Sequence, residues 1–351
     1  MKNYFVIFSY GRTATQWITK ALNMHSDIYC SHGPDYGDGK SASASEEDER
    51  ERLDLIQKRM NKFTKSMDLD EYFDRIETIQ KGKSFYGNIH GILPQRVFTR
   101  LRPFKRKYNF INVVRHPVKR VESMKNRLLH VSSGSEFLKQ QYENMFLFEK
   151  DTKMMHRLVE KFDVDFSKYD NRIFFLAVQL LEADLVESSL PVPHLQMERI
   201  TADIEYFLYF LKKITGGKLK LSDSYIRDVA LFGKVDERGS NMINSSFDQF
   251  EQWEEWKKWL FLKTIDKLKL FKVYDNYGYD LSYCINSVSK SSGSLSQLTD
   301  VNDDSVSTGK RNNNVINALY CLLSFFKRPK ALGGLFLKAM KRRRFLSSLV
   351  N

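Results

Sequence analysis

Cysteine is scarce: Cys30, Cys284 and Cys321 are the only three in 351 residues, far apart and without a C-x-x-C pair. That excludes a disulfide framework and a cysteine-built zinc site. No H-x-x-x-H or H-E-x-x-H spacing occurs either, so no metal is expected. The phosphate loop G-x-x-x-x-G-K-[ST] is missing, which removes support for a magnesium–ATP machine. The apolar run from Val315 to Phe326 is twelve residues long, short of the roughly 20 that span a bilayer. No internal repeat is visible. No leader pattern precedes Tyr4-Phe5-Val6-Ile7-Phe8, so no signal peptide is expected and the expected location is cytoplasmic, or peripheral at a membrane.

What is present is ample apolar material: 42% hydrophobic and 13% aromatic residues, with 26 Phe and 17 Tyr, enough for a substantial core. The formal net charge is +13, but residues 301–351 hold ten basic side chains against Asp303 and Asp304 and so carry +8 of it. The body is only mildly basic, and nucleic acid is not an expected partner.

Tyr4 to Phe8 is uniformly apolar, as expected of a strand covered on both faces in a parallel sheet. Trp17, Ile18, Ala21 and Leu22 follow at helical spacing. Residues 31–50 lose periodicity and read as a mobile loop feeding a surface helix marked by Leu53, Ile56, Met60 and Phe63. Further strands are expected over 85–90, 108–115 and 192–197, and helices from Pro117, through 173–186 and over 202–211. This alternation predicts an α/β fold, a parallel sheet flanked by helices. A body over 1–285 is expected to be followed by a Ser/Asn-rich linker over 286–314, with eight serines between Ser287 and Ser307. The 315–351 tail is basic and amphipathic; it is expected either to lie on an anionic membrane surface or to pack on the body.

Two segments suggest anion binding. After the first strand, Tyr10-Gly11-Arg12-Thr13-Ala14-Thr15-Gln16-Trp17 offers a glycine turn, convergent backbone N–H groups at a helix start, two threonine hydroxyls and a fixed positive charge. Ordinary N-capping is the alternative use of such residues. Arg115 ends the strand before Pro117, and Ser123 stands eight residues later, about two turns into the next helix, so that one phosphate can be held by both. A structural salt bridge and a helix-surface serine are their alternatives.

Together and in order, these segments resemble the sulfotransferases that use 3′-phosphoadenosine 5′-phosphosulfate. The family's loop Y-P-K-S-G-T-T-W matches residues 10–17 in spacing, and its strand-ending Arg with Ser eight residues on matches Arg115 and Ser123. Weaker echoes are Leu195-Gln196-Met197-Glu198-Arg199-Ile200 and Tyr277-Gly278-Tyr279-Asp280-Leu281, so the resemblance covers residues 1 to about 283. It implies a P-loop-like three-layer fold and the phosphosulfate nucleotide as co-substrate. Gly11, Arg12, Thr13, Ala14, Thr15 and Gln16 would hold the 5′-phosphosulfate, Arg115 and Ser123 the 3′-phosphate. Arginine at position 12 is usual in the carbohydrate-modifying branch, pointing to a saccharide or glycolipid acceptor. The family's glycine-rich adenine loop has only Arg238-Gly239-Ser240 as a faint counterpart.

Sulfuryl transfer needs a base for the acceptor proton and positive charge at the bridging oxygen. His90, in Gly87-Asn88-Ile89-His90-Gly91-Ile92-Leu93-Pro94, looks like the family's catalytic histidine, although a satisfied strand-end histidine has the same sequence signature. Imidazole titrates near pH 6.5 when unperturbed, and so can accept a proton. Arg12 is expected to stabilise the developing charge. His25 and His32 flank a strand-like 27–30 and are candidates for the acceptor cleft. Trp253, Trp256 and Trp259 are expected in core packing or a lid. Two other functions fit the layout less well: a nucleotide or sugar kinase, and an inactive membrane-surface binding protein.

Overall fold

The computed structural model describes residues 2–9, 13–33, 68–92, 94–98, 103–133, 136–149, 151–232 and 246–292. Its elements run β1 (Asn3–Phe8), α1 (Thr15–Asn23), β2 (Ile28–His32), α2 (Leu69–Ile79), β3 (Phe85–Ile89), α3 (Pro94–Phe98), β4 (Tyr108–Val114) and α4 (Pro117–Ser133). They continue through α5 (Glu136–Glu149), α6 (Thr152–Phe162), α7 (Tyr169–Gln179), α8 (Glu182–Ser188), β5 (His194–Gln196), α9 (Met197–Ala202), α10 (Ile204–Thr215) and α11 (Asp223–Leu231). The last are α12 (Ser246–Glu251), α13 (Glu255–Lys267), α14 (Leu270–Asn276) and α15 (Ser282–Ser292).

The five strands form one sheet in the order β2-β3-β1-β4-β5, and all neighbours are parallel. The expected α/β class, with a parallel sheet between helices, is what the chain adopts. β1 is apolar throughout because it is central: Phe5 and Ile7 pack on one face with Ile18 and Leu22 of α1 and Phe210 of α10, and Tyr4, Val6 and Phe8 pack on the other with Tyr72, Phe73 and Ile76 of α2. Gly87 in β3 is required there, since a Cβ would meet the Phe5 ring at 2.0 Å. A third core, built by α4 to α8 and α12 to α15, buries Trp253, Trp256 and Trp259, so these tryptophans are packing residues.

Two helix boundaries differ from the periodicity. The single helix expected over 173–186 is α7 and α8, separated by Leu180 and Leu181; both are buried and keep the apolar pattern running through the break. The break turns Asp184 onto Arg120 of α4 in a buried ion pair, and the Tyr274 hydroxyl donates to Asp184 at 2.5 Å. The helix expected over 202–211 is α10, which starts after its cap Asp203, whose side chain accepts from the N–H groups of Glu205 and Tyr206; the short α9 ahead of it was not expected. α15 continues to Ser292, past the expected boundary at 285. The loop expected over 31–50 starts later, since Ser31 and His32 belong to β2; the rest of it, the helix marked by Leu53 to Phe63, and the linker and tail from 293 to 351 lie outside the described residues.

Candidate functional site

Parallel strands deliver their carboxyl ends to one edge. Phe8 of β1 is in register with Asn112 of β4, Ile7 with Ile89 of β3, and His32 of β2 with Ile89. The segments after β1, β2, β3 and β4 therefore emerge together. Strand order reverses around β1, with β3 and β2 to one side and β4 and β5 to the other. Such a switch point opens a crevice outside the carboxyl ends, where ligands of open α/β sheets bind.

After β1, Ser9 and Thr13 are buried and their hydroxyls hydrogen-bond each other. Ala14 takes left-handed backbone (φ 51°) and stands at the N-cap of α1, where it has no side-chain acceptor to give. It occupies the position that is glycine in the resembled motif, and left-handed backbone is the conformation glycine tolerates best. The first turn of α1 contains no acidic residue. The N-cap residue of α1 thus supplies no capping side chain, and the positive dipole end of this helix lies at the carboxyl edge of the sheet, just after β1. Thr15 opens the helix, its Oγ1 2.9 Å from His32 Nε2, and Gln16 is exposed. Tyr10, Gly11 and Arg12 lie outside the described residues.

His90 follows β3 directly, also with left-handed backbone (φ 63°), and its N–H donates to Ile7 O at 3.1 Å. Its Nδ1 lies 2.8 Å from the carbonyl oxygen of Ser9. A carbonyl only accepts, so Nδ1 carries the proton, and the neutral ring presents Nε2 as an acceptor. The side chain is exposed at the crevice, with its ring 6.0 Å from that of His32. Sequence reasoning missed the group that holds this turn, Asn88. Fully buried, its amide nitrogen is 2.9 Å from Ser31 Oγ, 2.7 Å from Gly33 O and 2.7 Å from the Tyr72 hydroxyl, and its Oδ1 accepts from Gly91 N–H at 3.0 Å. Only glycine fits at 91, because a Cβ would come 2.4 Å from Gly33 O. The available signal was an asparagine inside an otherwise apolar strand, a residue that must be satisfied if buried.

Arg115 leaves β4 half-buried, on the strand next to β1 and so about 4.8 Å from it in strand spacing. Burial lowers its pKa, opposed by Glu198, and guanidinium stays charged under any such pressure. Ser123 is half-buried in α4, six positions after Pro117 and so about 9 Å along the helix. The two weaker sequence echoes meet here. Glu198 accepts from His116 N–H at 3.0 Å and from the Tyr279 hydroxyl at 2.6 Å, and that hydroxyl lies 3.2 Å from Val114 O. Gln196 donates to the carbonyls of Tyr277 and Gly278 at 2.7 and 3.1 Å. Residues 195–200 and 277–281 thus brace the strand end that carries Arg115. His116, under Tyr279 and beside Tyr283, is pushed down to about pH 3 by burial, with Lys119 and Arg115 adding repulsion, and stays neutral.

Of the two histidines considered for an acceptor cleft, His32 ends β2 at the carboxyl edge, whereas His25 precedes β2, is buried at the opposite edge, and bonds Lys220 O at 3.0 Å and Asp27 N–H at 3.1 Å. The 238–240 segment lies outside the described residues. Among the described residues no group of three or more His, Cys, Asp or Glu side chains is placed to hold a metal ion, and no helix is long and apolar enough to cross a membrane. No protein-family model matches the chain, and no curated protein matches its sequence.

Proposed function

We propose that the chain is a sulfotransferase of P-loop-like architecture, taking a sulfuryl group from 3′-phosphoadenosine 5′-phosphosulfate to a hydroxyl or amine of a saccharide or glycolipid. One observation carries this reading: the start of α1, Arg115 and His90 come from three neighbouring strands to one switch-point crevice, and His90 is tied by Nδ1 to the segment after β1. The donor fits the residues present. The first-turn N–H groups of α1 with Thr13 and Thr15 suit the 5′-phosphosulfate end, and Arg115 with Ser123 suits the 3′-phosphate. When bound, the nucleotide supplies an activated sulfuryl group whose bond to phosphate oxygen is the one that breaks.

His90 is the base: its Nε2 takes the proton of the attacking hydroxyl, and Ser9 O steadies the imidazolium that forms through Nδ1–H. His32 orients the Thr15 hydroxyl. Arg12 is assigned to the bridging oxygen, where a charge that cannot be titrated away favours departure of the nucleotide. Positioning and electrostatics supply most of the rate in such loose transfers.

Calorimetric titration with adenosine 3′,5′-bisphosphate tests the reading. The expected result is binding by the full chain, weakened about 10- to 100-fold in Arg115→Ala, as for loss of a charged hydrogen-bonding partner. Absence of binding, or unchanged affinity in the variant, overturns it.

A further inference from the structure

The opposite, amino edge of the sheet is made of the turns that lead from helices back into strands, and hydrogen bonds stitch these turns into one surface. Asn3 N–H donates to Ser84 O at 2.9 Å, and Ser84 N–H and Phe85 N–H both donate to Asp27 O at 3.0 Å. Lys83 Nζ reaches Ser26 O at 2.6 Å, Lys218 Nζ reaches Asn3 Oδ1 at 3.0 Å, and His25 joins Lys220 O. The segments before β1, β2 and β3 and after α10 are therefore contiguous.

This edge is strongly basic, although the body as a whole is not. Lys218 and Lys220 are exposed after α10, and Lys212 and Lys213 are exposed in its last turn. Exposed Lys81 and half-buried Lys83 precede β3, and exposed Lys105 and Lys107 precede β4. The acids nearby are largely engaged: Glu77 with Lys2 and Arg106, and Asp74 and Asp70 with Arg106, leaving Asp27 and Asp223 at the rim. Lysines in the last turn of α10, and Lys81 just past the end of α2, also complement those helix dipoles, but Lys105 and Lys107, seven and nine residues beyond α3, have no such reason to be there.

The second observation is apolar. Three of these turns each expose one large aliphatic tip among the lysines: Met24 at 41%, Ile79 at 39% and Leu221 at 39%. A sugar polyanion or nucleic acid gains nothing from them. A bilayer does, since lysine stems lie along the acyl boundary with their ammonium groups among anionic headgroups while short aliphatic tips enter it. We propose that the amino edge is a docking surface for an anionic lipid bilayer, with Met24, Ile79 and Leu221 inserting and the surrounding lysines pairing with headgroups. β1 is six residues long, so the carboxyl edge then stands about 20 Å further out and faces the aqueous phase.

The full chain is tested by flotation with phosphatidylcholine vesicles, with and without about a third phosphatidylserine. Two variants are compared with wild type, each checked for an unchanged thermal melt: Lys83→Glu/Lys218→Glu/Lys220→Glu and Met24→Ser/Ile79→Ser/Leu221→Ser. Wild type partitions onto the anionic vesicles only; the charge variant loses about tenfold or more, and the apolar variant about threefold or more. Unchanged partition in both variants overturns the proposal and assigns binding to the 315–351 tail. Weakened binding to a heparin oligosaccharide with unchanged vesicle binding overturns it in favour of a glycan.

Discussion

At the carboxyl edge polar side chains are held from several sides: His90 by Ser9 O, Thr15 by His32, and the Arg115 turn by Glu198 and Tyr279. At the amino edge of the same strands, Lys83 and Lys218 reach one neighbour each at the end of flexible stems. The polar groups differ accordingly: the amino edge presents mostly Lys, a mobile point charge, with Arg106 and His25 tied into its own contacts, whereas the carboxyl edge presents Arg115, His90 and Thr15, with directional groups. A parallel sheet thus separates a surface suited to a ligand of defined shape from one suited to a diffuse, fluid partner.

The largest effect expected from breaking that difference is at Asn88. Asn88→Ala leaves the buried groups of Gly33, Gly91, Tyr72 and Ser31 without their common partner, and about 3 kcal/mol of stability is lost, read as a lower urea midpoint. Acid provides the next test. The folded-state value of His116 lies near 3 against 6.5 for the ordinary group, so between these pH values the unfolded chain binds the extra proton and stability falls as pH falls. From pH 6.5 to 5 this group alone costs about 1.6 kcal/mol, and His116→Gln flattens the pH dependence of the unfolding free energy by that amount. The smallest effect belongs to the other edge: Lys218→Ala shifts stability by about 0.5 kcal/mol or less and leaves titration with the bisphosphate unchanged.

The strands were legible because β1, β3 and β4 are short, apolar and rich in aromatic and β-branched residues, a pattern that only a covered sheet explains. Pro117 marked the start of α4 for a local reason, its fixed φ. The break at Leu180 escaped because burial continues across it, and α9 escaped because six residues directly after β5 are too few to show a helical period. At the site, the resemblance drew attention to Thr13–Gln16, Arg115 and His90 in sequence order, but that Glu198 would meet Tyr279, 81 residues away, is a tertiary fact no spacing encodes. His25 was misjudged because two histidines flanking one strand necessarily go to opposite ends of it, and only one end faces the crevice.

The knot around Asn88 has an evolutionary consequence. It grips Gly33, the last described residue before the 34–67 segment, and through Tyr72 it also grips α2, which follows that segment. Both flanks are thereby moored to the same buried amide beside His90. The place of His90 is therefore set by one buried amide on either side of that segment, and changes of sequence or length between the moorings are expected to leave the histidine where it is.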